Sequence, residues 1–248
     1  MIPKRIHYCW FGHGKKSKHA RKCIESWKKY CPDYEIIEWN EENYDFSSAP
    51  LFVKQAMETK KWAFATDYIR YQVVHEHGGI YFDTDVEVLK NLDDLLENKA
   101  FFGVQHNHIV ASGLGFGAEQ GLPLLLELME NYEGIPFLLP DGKMDDRGCP
   151  RRDAPVFQAH GMVMDGSEQI LEDGIHVFPK EYFCPRGFND GTLRITENTY
   201  TIHWFDASWL PAIERWKYGS KRTIRRVLGP ERVHRIKNTL IRKKQEKS

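Results

Sequence analysis

The sequence has no run approaching the roughly 20 consecutive apolar residues that a membrane-spanning helix requires; its apolar side chains are scattered in short periodic stretches over 248 positions. The opening Met1-Ile2-Pro3-Lys4-Arg5-Ile6-His7-Tyr8-Cys9-Trp10 lacks the apolar segment and small-residue cleavage site of a signal peptide, so a cytoplasmic location is expected. Cysteine is sparse. Cys9, Cys23, Cys31, Cys149 and Cys184 are odd in number and include no CxxC pair, which fits reduced, packed thiols and argues against a disulfide scaffold or zinc ribbon. Internal repeats and low-complexity segments are absent too. What remains, with 41% hydrophobic and 13% aromatic residues, is enough for one large α/β domain and excludes a disordered chain.

The formal net charge is zero, but it is unevenly distributed. Residues 215–248 hold 13 Lys and Arg against Glu231 and Glu246, an excess of +11, so residues 1–214 carry −11. We therefore expect a domain over 1–214 and a basic, helical tail over 215–248. In the tail Ile224, Val227, Leu228, Val233, Ile236, Leu240 and Ile241 alternate with the basic residues at roughly helical intervals, broken at Gly229-Pro230. That pattern suits a helix lying on an anionic membrane surface, as a peripheral contact. Nucleic acid is not an expected partner, because the body is acidic and no aromatic-basic face accompanies the tail.

Residues 2–11 read as a buried first strand closed by Gly12 and Gly14, Ala20–Tyr30 as a helix stopped by Pro32, and Tyr34–Trp39 as a second strand, a βαβ opening. Ser47 or Ser48 is a candidate cap for a helix with Pro50 in its first turn. A further helix from about Trp62 should end at Gly78-Gly79, a candidate left-handed cap, and lead into the strand Ile80-Tyr81-Phe82. Leu89–Leu96 reads as a turn and short helix, Phe101–Val104 as a strand, Leu122–Tyr132 as a helix, and His176–Phe178 and Tyr200–Trp204 as strands. Gly134–Asp153, rich in Pro, Gly and Asp, reads as a loop or lid. Alternation of this kind predicts an α/β fold with a mainly parallel sheet.

The chemistry concentrates in Thr66-Asp67-Tyr68-Ile69-Arg70 and Gly79-Ile80-Tyr81-Phe82-Asp83-Thr84-Asp85-Val86. Because side chains alternate along an extended backbone, Asp83 and Asp85 are expected to project to the same side just where the apolar strand ends, where they can share a cation. Carboxylate oxygens suit Mn²⁺ or Mg²⁺, and such a cation can bridge a diphosphate and neutralise it as it leaves. A lone DxD is also a common surface feature. Asp67 and Arg70, three apart on a helix, place a carboxylate beside a guanidinium, a pair able to bind sugar hydroxyls and phosphate or simply each other.

Together with Trp10 in the opening Ile-His-Tyr-Cys-Trp-Phe-Gly strand, the series Asp67, Arg70, Tyr81, Asp83, Asp85 resembles the DXD-containing sugar transferases of glycosyltransferase family 32 and the glucosylating domains of large clostridial toxins. The resemblance covers about Ile2–Trp209. It implies a GT-A (Rossmann-like nucleotide-binding) fold, a divalent metal, a nucleotide-sugar donor and retention of anomeric configuration. It further implies that Trp10 stacks on the base, Asp67 and Arg70 hold the donor sugar, Tyr81 contacts the donor, and Asp83 and Asp85 serve ribose and metal. His203-Trp204-Phe205-Asp206-Ala207-Ser208-Trp209 looks like the family's C-terminal element; there His203 or Ser208 is the expected additional metal ligand and Trp209 a donor to phosphate. Asp67, Arg70 and Asp85 are the expected catalytic set. A UDP-sugar, UDP-glucose or UDP-galactose, is the first expectation for the donor and GDP-mannose the second, with a growing surface glycan or lipid-linked oligosaccharide as acceptor. His106-Asn107-His108 and Ala111-Ser112-Gly113 are weaker candidates, and Asp153-Ala154-Pro155 departs from the Gly-Pro expected at that point.

Two rivals stand beside this reading. The segment Asp83-Thr84-Asp85 also resembles the nucleophile strand of haloacid-dehalogenase-like phosphatases, with Asp83 phosphorylated, although Glu87 stands where Thr or Val is expected and 82 residues precede the motif. A sugar-binding protein without turnover would be signalled by loss of the metal ligands or Arg70, and all are present.

Overall fold

The computed structural model describes residues 1–187 and 190–206. Ser208, Trp209 and the basic tail lie outside the described residues. The chain divides into two compact units: Met1–Pro185 with Ile195–Trp204, and Arg186–Arg194 with Phe205–Ser248. In the second, Arg186 and Leu193 form an isolated antiparallel bridge. Everything below concerns the first.

Strands β1 (Arg5–Cys9), β2 (Glu35–Trp39), β3 (Gly79–Tyr81), β5 (Ala100–Gly103), β6 (Phe116–Ala118), β7 (Gln169–Ile170) and β8 (Ile175–Phe178) form one sheet in the order β2-β1-β3-β6-β5-β8-β7. A separate antiparallel pair joins β4 (Val86–Val88) to β9 (Thr201–His203). In the large sheet β1 pairs in parallel with β2 and β3, and β5 with β8, while β6 and β7 run against their neighbours. The α/β class and mainly parallel sheet expected from the sequence are therefore present. Three strands are missing from the sequence reading: β4, β7 and, in the middle of the large sheet, β6. Its Gly117 reads as a breaker, yet a methyl there would collide with the Phe101 ring, so close packing of strand on aromatic requires glycine.

Helix α1 (Lys18–Tyr30) starts where Ser17 accepts from the Ala20 N–H at 3.0 Å and buries Cys23, Ile24 and Trp27 at helical spacing. Helix α2 (Leu51–Glu58) has Pro50 itself at the cap position, with no side-chain cap, so Ser47 and Ser48 do not cap it. Helix α3 (Trp62–His77) packs against α2 and α4 (Pro123–Glu130) and against β1 and β3. Gly78 and Gly79 follow it with φ of 62° and 117°, in the region glycine favours, and turn the chain directly into β3. The expected loop over Gly134–Asp153 is only partly a loop. From Cys149 it becomes α5 (Cys149–Ala159), because Pro150 in the first turn costs no hydrogen bond and Cys149, Arg152, Asp153 and Phe157 share a buried face. A one-turn helix, α6 (Lys180–Phe183), follows β8.

His7, at the centre of β1 and fully buried, ties these elements together. The Trp39 indole N–H donates to its Nδ1 at 3.1 Å, so Nε2 carries the proton and donates to the Gly78 carbonyl at 2.8 Å. Burial lowers its pKa to about 4. Between about pH 6.5 and 4 the unfolded chain takes up a proton that the fold refuses, so stability falls with pH across that window. We predict a loss of up to about 3 kcal/mol from this group alone. Urea unfolding at pH 6.5 and 4.5 should show it, and His7→Gln should be less acid-sensitive than wild type.

Candidate active site

Phe82 follows β3, and its N–H donates to the His7 carbonyl at 3.0 Å; beyond it the chain does not stay extended. The Val86 N–H donates to the Asp83 carbonyl at 3.0 Å, closing a turn over Asp83–Val86. Strand alternation is thus not what brings Asp83 and Asp85 together; the turn does. Antiparallel pairing of β4 with β9 sets Val86 opposite His203, and the Trp204 N–H donates to the Asp85 carbonyl at 3.0 Å. This register brings His203 Nε2 to 3.3 Å from Asp85 Oδ1. Among the described residues, ligand atoms of Asp83, Asp85 and His203 lie within 4.8 Å of one another. Two carboxylates and an imidazole form a donor set suited to Mn²⁺ and acceptable to Mg²⁺. Burial and the neighbouring Asp85 push the Asp83 carboxyl up, while Arg70 and His203 pull it down.

Arg70, with a side chain only 4% exposed, lies at the middle of the site. Its Nη2 is 3.0 Å from Asp67 Oδ1, one turn earlier on α3, and 3.3 Å from Asp83 Oδ1. Two more donors are placed: Nε to the Thr66 carbonyl at 3.0 Å and Nη1 to Ser112 Oγ at 3.2 Å. Burial works against the charge, and Asp83 and Asp67 restore it, so Arg70 is held firmly cationic. Tyr81 was expected to contact a donor directly. It is 1% exposed and lies with its ring 5.1 Å below the guanidinium, stacked in turn on Phe116 at 6.1 Å, so it supports Arg70 from beneath. Asp67 faces the other way as well, accepting from the Cys149 N–H at the start of α5 at 3.3 Å. The expected adjacency of Asp67 and Arg70 on one helix face is present.

Trp10, just past the C-terminal end of β1, lines an open, polar pocket with Gly14, Lys16, Glu38, Asn40 and Glu41. Its indole N–H donates to the Gly14 carbonyl at 2.6 Å, and the Lys16 ammonium lies 5.6 Å from its ring. This is the crevice beyond parallel strand ends where open α/β sheets bind ligands. Three residues of the site escaped the sequence reading in their present roles. Ser112 holds Arg70, Cys149 reaches Asp67 through its backbone, and Gly113 admits Asp83, because a methyl at Gly113 would collide with the Asp83 carboxylate and come within 3.2 Å of Arg70 Nη1. Only Ala111-Ser112-Gly113, a small-residue stretch before a strand, signalled any of this.

Gly113→Ala is predicted to displace Asp83. Titration calorimetry with Mn²⁺ should show binding weakened about tenfold or more, and thermal unfolding a loss of about 1–3 kcal/mol.

Comparison with known proteins points to the same stretch of the chain. The family described as the glycosyltransferase sugar-binding region containing a DXD motif matches residues 17–102, the stretch that holds Asp67, Arg70, Asp83 and Asp85. The chain is 29% identical over 143 residues to inositol phosphoceramide mannosyltransferase 3 of Schizosaccharomyces pombe, covering 55% of this chain and 38% of that protein. It is 32% identical over 107 residues to an uncharacterized glycosyltransferase of Acanthamoeba polyphaga mimivirus, covering 41% of this chain and 43% of that one. It thus spans about two-fifths of the length of these curated relatives. Among solved structures, the PaToxG glycosyltransferase superposes with a TM-score of 0.49 at 17% identity, covering 64% of this chain and 69% of that one. A glycosyltransferase involved in glycosylation of the major capsid of PBCV-1 superposes with a TM-score of 0.48 at 12% identity, covering 87% and 98%. Overlaps of that size add nothing to what the residues themselves say.

Proposed function

We propose that this chain, which over residues 17–102 carries the glycosyltransferase sugar-binding region with its DXD motif, transfers a hexose from a nucleotide-sugar to an acceptor with the help of a divalent cation. The observation that carries the proposal is the convergence of Asp83, Asp85 and His203 within 4.8 Å, beside an Arg70 that already binds both Asp67 and Asp83. Asp83, Asp85 and His203 would hold Mn²⁺ or Mg²⁺, with Ser208 as the alternative to His203; when bound, the cation neutralises charge developing on the leaving diphosphate. Arg70 and Asp67 orient the sugar. The guanidinium donates to hydroxyl or phosphate oxygens and the carboxylate accepts from hydroxyls, so the reacting carbon is held in place without solvent rearrangement. Trp10 offers its face to the base, and Trp209 is assigned to the phosphates.

The donor is a UDP-sugar in this reading, and reaction with retention follows from the family resemblance. One relative is by name an inositol phosphoceramide mannosyltransferase, which supports a hexose as the transferred group and a lipid-borne acceptor. The +11 charge of residues 215–248 supports a peripheral contact with an anionic membrane surface.

Asp83→Asn and Asp85→Asn should each lower metal-dependent hydrolysis of the donor by about a hundredfold or more, since loss of mere supporting residues around metals costs roughly 10–100-fold. Both variants should stay folded by circular dichroism. An Asp85→Asn variant with full activity would remove the metal assignment. Phosphomonoester hydrolysis with phosphate on Asp83 would replace the whole reading by the phosphatase one.

A further inference from the structure

Behind the Asp67–Arg70 pair lies a second carboxyl group. Asp153, on the first turns of α5, is completely buried, as are Tyr71 and Tyr132 beside it. Asp153 Oδ2 accepts from the Tyr71 hydroxyl, one residue after Arg70 on α3. Among the described residues its Oδ1 has no hydrogen-bond partner, and neither has the Tyr132 hydroxyl just after α4. The same helix turn places Cys149, four residues earlier, with its N–H on Asp67 and its Sγ 3.3 Å from Ser112 Oγ. Asp153 therefore touches the two elements that set the site: α3 through Tyr71, and the α5 start that reaches Asp67.

The charges around it do not balance if Asp153 is ionised. From α3 it feels Asp67 and Arg70, from the segment after α4 Tyr132, and from its own helix Cys149 and Arg152. Arg70 is already shared by Asp67 and Asp83. Arg152 is ion-paired with Asp145, Nη2 lying 2.8 Å from Oδ2 although that nitrogen makes no aligned hydrogen bond among the described residues, and its Nε donates to the Arg147 carbonyl. An ionised Asp153 would be a third buried carboxylate with one hydroxyl donor and no cation of its own, an arrangement that burial strongly disfavours.

We propose that Asp153 is a positioning residue for the donor-sugar pair Asp67 and Arg70, acting as an uncharged carboxyl group through Tyr71 and the first turn of α5. The proposal rests on the reading of Asp67 and Arg70 as the groups that hold the donor sugar. Burial pushes the Asp153 carboxyl up to about 8, in keeping with a proton retained at neutral pH. Above that pH its charge would compete with Asp67 for Arg70 and push Asp67 away from the α5 start. A carboxylic acid kept neutral by its apolar surroundings thus gives the site an alkaline limit that no group facing the donor needs to supply.

Asp153→Asn tests this, since the amide keeps shape and the Tyr71 contact but cannot ionise. Three readouts apply to the full chain. The Nε–H resonance of Arg70 should shift near pH 8 in wild type and stay fixed in Asp153→Asn. The thermal stability of wild type relative to Asp153→Asn should decline between about pH 4 and 8, where the folded wild-type chain keeps a proton that its unfolded chain releases. Turnover of the nucleotide-sugar at pH 7 should remain within about threefold of wild type, and its fall above pH 8 should disappear in the variant. An Arg70 signal with the same pH dependence in both proteins would overturn the proposal, as would an Asp153→Asn variant that is folded but at least tenfold slower at pH 7. If no nucleotide-sugar is turned over by wild type, the functional reading fails, and the resonance and stability measurements still decide whether Asp153 is neutral and coupled to Arg70.

Discussion

A single buried guanidinium holds the site in register. Arg70 bridges Asp67 on its own helix and Asp83 on the turn after β3, and it reaches Ser112 on a third segment. None of these contacts would form if the helix and strand were not closely coupled. That coupling comes from Gly78 and Gly79, which turn α3 straight into β3, and from His7, which bonds the Gly78 carbonyl from the neighbouring strand. An arginine is required because its planar fork satisfies several acceptors at fixed angles and keeps its charge when buried. The cost of burying it is offset by two carboxylates, one of which also belongs to the cation site. Sugar-binding and cation-binding groups are thus one electrostatic unit.

The second constraint is topological. The sheet brings Trp10 at the end of β1 and Asp83 beyond β3 to the same edge, because β1 and β3 are parallel neighbours. A short antiparallel pair, β4 with β9, then returns residues more than a hundred positions later to the motif, which is how His203 comes within 3.3 Å of Asp85. Trp10 and the cation site both follow the carboxyl ends of neighbouring parallel strands, the edge at which open α/β sheets bind ligands.

Much of this was legible in the sequence. The apolar spacing of α1, the extent of α3 up to the glycine pair, and Asp67 and Arg70 on one face follow from local rules, and the structure agrees. What local rules could not supply were features fixed by packing. Asp83 and Asp85 converge through a turn rather than a pleat, Gly117 lies in a strand because Phe101 covers it, and α5 forms in a stretch whose prolines and glycines read as a loop. The resemblance implies that Tyr81 contacts the donor, and local rules did not foretell that its buried ring would lie under Arg70. Asp153 carried no signal beyond its departure from a family pattern, since its burial depends on α3 and α5 meeting.

The account stands or falls on Arg70 acting as a planar fork between sugar and carboxylates, and Arg70→Lys is the measurement that bears on it most directly. An ammonium keeps the charge but cannot serve Asp67, Asp83 and a ligand at once. With nucleotide-sugar and Mn²⁺, the account predicts turnover lowered by about a hundredfold while nucleoside diphosphate affinity changes by less than about threefold. Unchanged turnover in a folded Arg70→Lys protein would contradict it.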